Sequence, residues 1–125
     1  MNDDTGNPMI EEPLIGCLHT IRHRLVVVGS VARGKRWPKD LDLLWDLDNE
    51  KAKSEIKAAI EKYKVRFESP FIGCWTFRDY GWMVEIISVS HGPMYRKIVR
   101  RAGRLVLSGI EFRVAQLEDA PKEAS

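Results

Sequence analysis

Four residues stand at a spacing that chemistry could use. Gly29 and Ser30 follow an apolar run, and Asp40 and Asp42 lie ten and twelve residues beyond Ser30. A glycine lets a backbone approach a phosphate closely, and a serine adds a hydroxyl beside exposed backbone donors. Two aspartates separated by one residue project from the same face of a strand. Paired carboxylates of that kind are hard oxygen ligands suited to Mg²⁺, and a divalent metal clamped on a polyphosphate is the usual requirement of phosphoryl-transfer chemistry.

The elements that must position these residues can be read from pattern. Leu25 to Val28 is a β-branched apolar run that predicts a strand buried on both faces and ending at Gly29. Val31 to Lys39, with Gly34 and Pro38, reads as a turn region. Asp40 to Trp45 then resumes as a strand, with Asp40, Asp42 and Leu44 on one face and Leu41, Leu43 and Trp45 on the other. Asp48 or Asn49 caps a helix whose apolar positions Ala52, Ile56, Ala59, Ile60 and Tyr63 recur at helical spacing, which also assigns the competing acidic triplet Asp46-Leu47-Asp48 to capping. Two extended runs follow, Phe71 to Arg78 and Trp82 to Val89, with Asp79-Tyr80-Gly81 as a hairpin turn. Pro93 opens a helix striped by Met94, Ile98, Val99 and Ala102 and ended by Gly103. A last extended segment spans about Arg104 to Val114, and a weaker helix precedes everything from about Met9 to His23, interrupted by Pro13. The order describes an α+β domain in which helices pack on a mixed β-sheet.

Composition bounds the rest. The chain of 125 residues, 44% hydrophobic, fits one domain, expected at 13–115 between flexible tails at 1–12 and 116–125. No stretch approaches the roughly 20 apolar residues that span a bilayer, and the polar start lacks a signal peptide's pattern, so no membrane partner and a cytoplasmic location are expected. Cys17 and Cys74 are too few for a disulfide framework and read as buried thiols. The formal charge of +2 conceals acidic ends, −4 over residues 1–12 and −2 over 116–125, around a core of about +8. Such a field favours an anionic ligand, a nucleotide or nucleic acid.

With its nine intervening residues, Val28-Gly29-Ser30 followed by Asp40-Leu41-Asp42-Leu43 resembles the signature of the polymerase-beta-type nucleotidyltransferase superfamily. Val31-Ala32-Arg33-Gly34 is similar to the Gly-Ser-x-Ala-Arg-Gly of its minimal single-domain members. The resemblance implies a nucleotidyltransferase-type mixed sheet and a third carboxylate from a later strand, which falls on Glu85 in Met83-Val84-Glu85-Ile86-Ile87, with Asp79 as fallback. Glutamate departs from the family's usual aspartate. The implied activity is transfer of a nucleoside monophosphate from an NTP to an acceptor, releasing pyrophosphate. Asp40, Asp42 and Glu85 would hold two Mg²⁺ ions, Glu85 would also serve as base, and Gly29, Ser30 and Arg33 would hold the phosphates. The acceptor is open among small molecule, protein and nucleic acid. Minimal members often act with a helical partner protein, sometimes as antitoxins, so such a partner or a homo-oligomer is expected. The alternative is a noncatalytic nucleotide-binding or partner-binding module on the same fold.

Other candidates have blander readings beside them. Arg96, Lys97, Arg100, Arg101 and Arg104 could meet phosphates or form a solvated face. Phe71, Trp75, Phe77, Tyr80 and Trp82 could stack on a base but alternate as core residues do. Cys17, His19 and His23 lack the second paired cluster that a structural zinc requires.

Overall fold

In the computed structural model of the chain, residues 9–34, 36, 40–45, 50–66, 68, 74–79 and 82–116 are described. Among these residues the α-helices and strands follow one another as α1 (Leu14–Ile21), β1 (Leu25–Val28), α2 (Gly29–Ala32), β2 (Asp40–Trp45), α3 (Glu50–Tyr63), β3 (Cys74–Asp79), β4 (Trp82–Ser88), α4 (Pro93–Arg100), β5 (Gly103–Leu107) and β6 (Ile110–Val114). The strands form a six-stranded sheet in the order β3-β4-β2-β1-β6-β5. It is mixed: β2 runs parallel to β4 and β1 to β6, while β1–β2, β3–β4 and β5–β6 are antiparallel.

The alternation of side chains decides what each face meets. On one side Val27, Leu41, Leu43, Trp45, Val84, Ile86 and Phe112 pack against Leu14, Leu18 and Ile21 of α1 and Ile56, Ala59 and Ile60 of α3. Each fully buried aliphatic side chain there contributes roughly 1.5–3 kcal/mol. Arg24, just before β1, ties that strand to α3 with a two-point bond to Glu55, Nε to Oε2 at 3.1 Å and Nη2 to Oε1 at 3.4 Å. On the other side Val26, Val28 and Leu44 meet Ile98 of α4, with Val89 and Ala115. All four residues of β1 are buried, because both faces of that central strand are covered.

Several boundaries differ from the sequence reading, and three of them matter for the fold. The first helix is shorter than Met9 to His23: Pro13 stands at the N-cap of α1, and the last turn tightens into a 3₁₀ segment at Arg22–Arg24. The expected tail at 1–12 is packed by residue 10, since Ile10 is 4% exposed and its N–H donates to Ser108 Oγ at 2.7 Å. The single extended segment from Arg104 to Val114 is instead the β5–β6 hairpin, turning at Ser108 (φ 51°) and Gly109 (φ 76°). Positive φ at both central residues is what a two-residue hairpin turn with the sheet's twist demands. The acidic triplet Asp46-Leu47-Asp48, both expected capping positions Asp48 and Asn49, and the Tyr80-Gly81 part of the expected hairpin turn lie outside the described residues, as do 1–8 and 117–125. No described helix is long and apolar enough to cross a membrane.

Candidate active site

β1 ends at Val28, and the chain turns at once into α2, where the Arg33 N–H reaches the Gly29 carbonyl at 3.3 Å and the Gly34 N–H that of Val31 at 3.0 Å. A strand that breaks directly into a helical turn needs an unusual backbone angle at the junction, and Gly29 supplies it with φ +69°. The space there is as restrictive as the angle. A Cβ on Gly29 would lie 2.6 Å from Asp42 Oδ2 and 3.4 Å from Asp42 Cβ and Cγ. The absence of a side chain at 29 is therefore what leaves room for the Asp42 carboxylate. Ser30 is 5% exposed, and Arg33 is half-buried at the end of α2.

Register brings the remaining acid into line. Val28 pairs with Asp42 across β1–β2, Asp42 with Glu85 across β2–β4, and Glu85 with Thr76 across β3–β4. Paired residues in neighbouring strands point to the same face, about 4.8 Å apart in strand spacing. Asp42 and Glu85 are thus side-by-side carboxylates, and Asp40 is one step along β2 on the same face, exposed at the strand's start.

This row lies on the side of the sheet that carries α4, past the helix's apolar footing. Glu85 sits between Met83 and Ile87 there, and all three are half-buried rather than enclosed, so the face is open enough to solvate a charge.

The neighbourhood of Glu85 is electrostatically active. Burial pushes the Cys74 thiol up from its ordinary value, the Glu85 carboxylate pushes it further, and a hydrogen bond with Thr76 partly opposes both. Neither Thr76 nor Cys74 was legible as a neighbour of Glu85, because the register of β3 on β4 has no signal in a single sequence. Both cysteines are buried free thiols as expected, with Cys17 raised by burial to about 11.

Solved structures to which the chain is similar in fold include two bacterial proteins. The Thermotoga maritima protein TM1012, itself only provisionally assigned as a nucleotidyltransferase, is 20% identical, with 89% of this chain and 82% of that one covered and a TM-score of 0.49. JHP933 from Helicobacter pylori is 15% identical, with 88% and 54% covered and a TM-score of 0.41. No family model and no curated protein matches the chain. At these identities the likeness concerns the arrangement of elements alone.

In chemical type the donors suit a hard divalent cation, since Asp40, Asp42 and Glu85 offer only carboxylate oxygen. Their geometry is open. Among the described residues no three His, Cys, Asp or Glu side chains stand close enough together to hold a metal ion, so the acids form a row on one face instead of converging on a point. Of the other sequence candidates, Trp75 is buried in the core under α1 and α3, away from the carboxylate face. Phe71 and Tyr80, and the side chains of Phe77 and Trp82, lie outside the described residues. His23 is engaged on the surface with Glu55, Nε2 to Oε2 at 3.2 Å.

Proposed function

We propose that the chain is an Mg²⁺-dependent nucleotidyltransferase. The observation that supports this most is the fit of side-chain-free Gly29, at φ +69°, against the Asp42 carboxylate, which joins the two halves of the Gly29-Ser30 and Asp40-Leu41-Asp42 pattern in space. In this reading Gly29, Ser30 and Arg33 bind the outer phosphates of an NTP, and Asp40, Asp42 and Glu85 hold the metal. Magnesium, when bound, supplies charge neutralisation of the triphosphate and lowers the pKa of a coordinated hydroxyl. The acceptor's hydroxyl oxygen forms a bond to the α-phosphorus, and the bond from that phosphorus to the bridging oxygen breaks. Pyrophosphate leaves with the electron pair, and Glu85 takes the hydroxyl proton.

Incubation with labelled NTPs, Mg²⁺ and a panel of small-molecule, protein and nucleic-acid acceptors tests it. Loss of a metal ligand removes several kcal/mol of transition-state stabilisation, so Asp42→Asn is expected to lower turnover by at least about 100-fold. An Asp42→Asn protein as active as wild type refutes the assignment.

The open row of acids favours a second reading, a noncatalytic module that binds a nucleotide or a partner protein on the same fold. Calorimetry separates the two. Tight, Mg²⁺-requiring NTP binding without turnover on any acceptor supports the module, and absence of NTP binding leaves a protein-interaction role.

A further inference from the structure

The two edges of the sheet differ. At the β3 edge Glu68 is bonded to Thr76 in both directions, its N–H donating to the Thr76 carbonyl at 2.9 Å and its carbonyl accepting from the Thr76 N–H at 2.8 Å. At the other edge β5 has β6 on one side and, among the described residues, no strand on the other. An edge left open is commonly guarded by a charge or a covering loop. The middle of β5 is instead Leu105-Val106, and Val106 is 63% exposed.

The phase of the ladder fixes which backbone groups face outward. The two-residue turn at Ser108-Gly109 is closed by Leu107 and Ile110, which makes these two a hydrogen-bonded pair. Bonded pairs alternate with unbonded ones along an antiparallel ladder, so Leu107, Leu105 and Gly103 direct their N–H and C=O at β6. The far side of β6 agrees. There the Ala115 N–H donates to the Val27 carbonyl at 2.9 Å, which gives the odd-numbered residues to β1 and leaves Ile110, Phe112 and Val114 for β5. Arg104 and Val106 therefore present both of their backbone groups to the open side, two donors and two acceptors.

Such an edge is its own complement. Two copies of β5 set antiparallel about Leu105 bring Arg104 opposite the partner's Val106, and by symmetry Val106 opposite the partner's Arg104. Both are hydrogen-bonded pairs, so every outward group finds a partner. The side chains match as well. On the α4 side the aliphatic stem of Arg104 covers the partner's Val106, while its head stays in water near Glu111 of its own chain, 3.6 Å away. On the α1 and α3 side the half-buried Leu105 meets the partner's Leu105 across the axis, an unbonded pair of the kind whose side chains stand closest. The neighbouring symmetric registers fail. Centred on Arg104, the pairing sets two guanidinium groups directly opposite each other. Centred on Val106, it runs Arg104 against Ser108, whose φ of 51° has left the strand.

We propose that two copies of the chain pair through β5 in this register, joining their six-stranded sheets into one with the two-fold axis at Leu105. Both rows of Asp40, Asp42 and Glu85 then open on the same face, β2 and the partner's β2 being separated by about seven strand spacings, or about 34 Å. The pairing is independent of the nucleotidyl-transfer reading, because β5 carries none of those acids. Edges of five residues bury less than the roughly 1,200 Å² of a stable interface, so the dissociation constant is on the order of 10 µM.

Sedimentation equilibrium of the full chain from about 1 to about 300 µM is expected to pass from monomer to dimer across that constant. Val106→Pro removes an outward N–H from each copy, and so about two of the four bonds between them, without touching the β5–β6 ladder; it is expected to raise the constant at least about 10-fold. Crosslinking reads the register. Leu105→Cys sets the two Cα atoms about 4.5 Å apart, within disulfide range, whereas Val106→Cys leaves them about 8 Å apart and beyond it. With oxidised glutathione, Leu105→Cys is expected to give a disulfide-linked dimer on a non-reducing gel and Val106→Cys is not, with wild type as the blank because Cys17 and Cys74 are buried. Circular dichroism checks that each variant folds, and the wild-type sedimentation result stands without them. A wild-type chain still monomeric at about 300 µM, a dimer undiminished by Val106→Pro, or Val106→Cys crosslinking as readily as Leu105→Cys each overturns the proposal.

Discussion

Gly29→Ala separates backbone strain from the geometry of the site. Gly29 sits at φ +69°, and an alanine there takes a left-handed conformation at a cost of about 1–2 kcal/mol. Its new Cβ would also lie 2.6 Å from Asp42 Oδ2, where ordinary van der Waals contact begins at 3.4 Å, so the carboxylate has to retreat by about 0.8 Å. Misplacing a catalytic group by about 1 Å costs on the order of 100-fold in rate. Gly109→Ala provides the control. Gly109 has φ +76° and nothing within 4 Å of its built Cβ, so it carries the backbone cost without the displacement. Both variants are expected to lose about 1–2 kcal/mol in denaturant titration, equivalent to about 4–8 °C in a domain of this size. Only Gly29→Ala is expected to lose Mg²⁺-dependent NTP binding and transfer, by about 100-fold, at a temperature where both remain folded. If Gly109→Ala loses as much activity as Gly29→Ala, or if Gly29→Ala keeps full activity, the contact with Asp42 has no part in the site.

Two further expectations address the scaffold. Ile10→Ala is expected to cost about 2–5 kcal/mol by chemical denaturation, because Ile10 is part of the buried core; a change within about 0.5 kcal/mol would restore the loose tail that the sequence suggested. The Glu55 carboxyl is held below its ordinary value of 4.5, first by its hydrogen bond from Arg24 and then by the charges of Arg24 and His23. A lowered folded value means that the interaction is fully present above the unfolded value and is lost as pH falls through the folded one. The melting temperature of wild type should exceed that of Glu55→Gln near about pH 7, and the gap should close toward about pH 3. A gap constant over that range refutes the linkage.

What could be read from the sequence was set by periodicity. The run Leu25 to Val28 announced a strand covered on both faces, and α4 on one side with α1 and α3 on the other are the reason it has no polar position. The alternation in Asp40-Leu41-Asp42-Leu43-Leu44-Trp45 placed both aspartates opposite the main core before any partner strand was known. Where local pattern is silent, the reading failed. Arg104 to Val114 reads as one strand because Ser108-Gly109 is a weak turn signal beside Asn-Gly, yet the Ile10 N–H donates to Ser108 Oγ and holds that turn from 98 residues away. A contact of such separation leaves no trace in a window of neighbouring residues.

Glu85 shows where sequence and structure each contribute. The motif around it suggested a third acid, but only the pairing of β2 with β4 makes it the neighbour of Asp42 rather than of Asp40, which pairs with Met83. A slip of one residue in that register would turn Glu85 toward α1 and α3, into the apolar space that Val84 and Ile86 now fill, where an ionised carboxylate could not be accommodated. The apolar residues on either side of Glu85 therefore do more than fill the core. Their burial opposite the site holds β4 in the one register that puts this acid beside Asp42, so the packing of the far face specifies the chemistry of the near one.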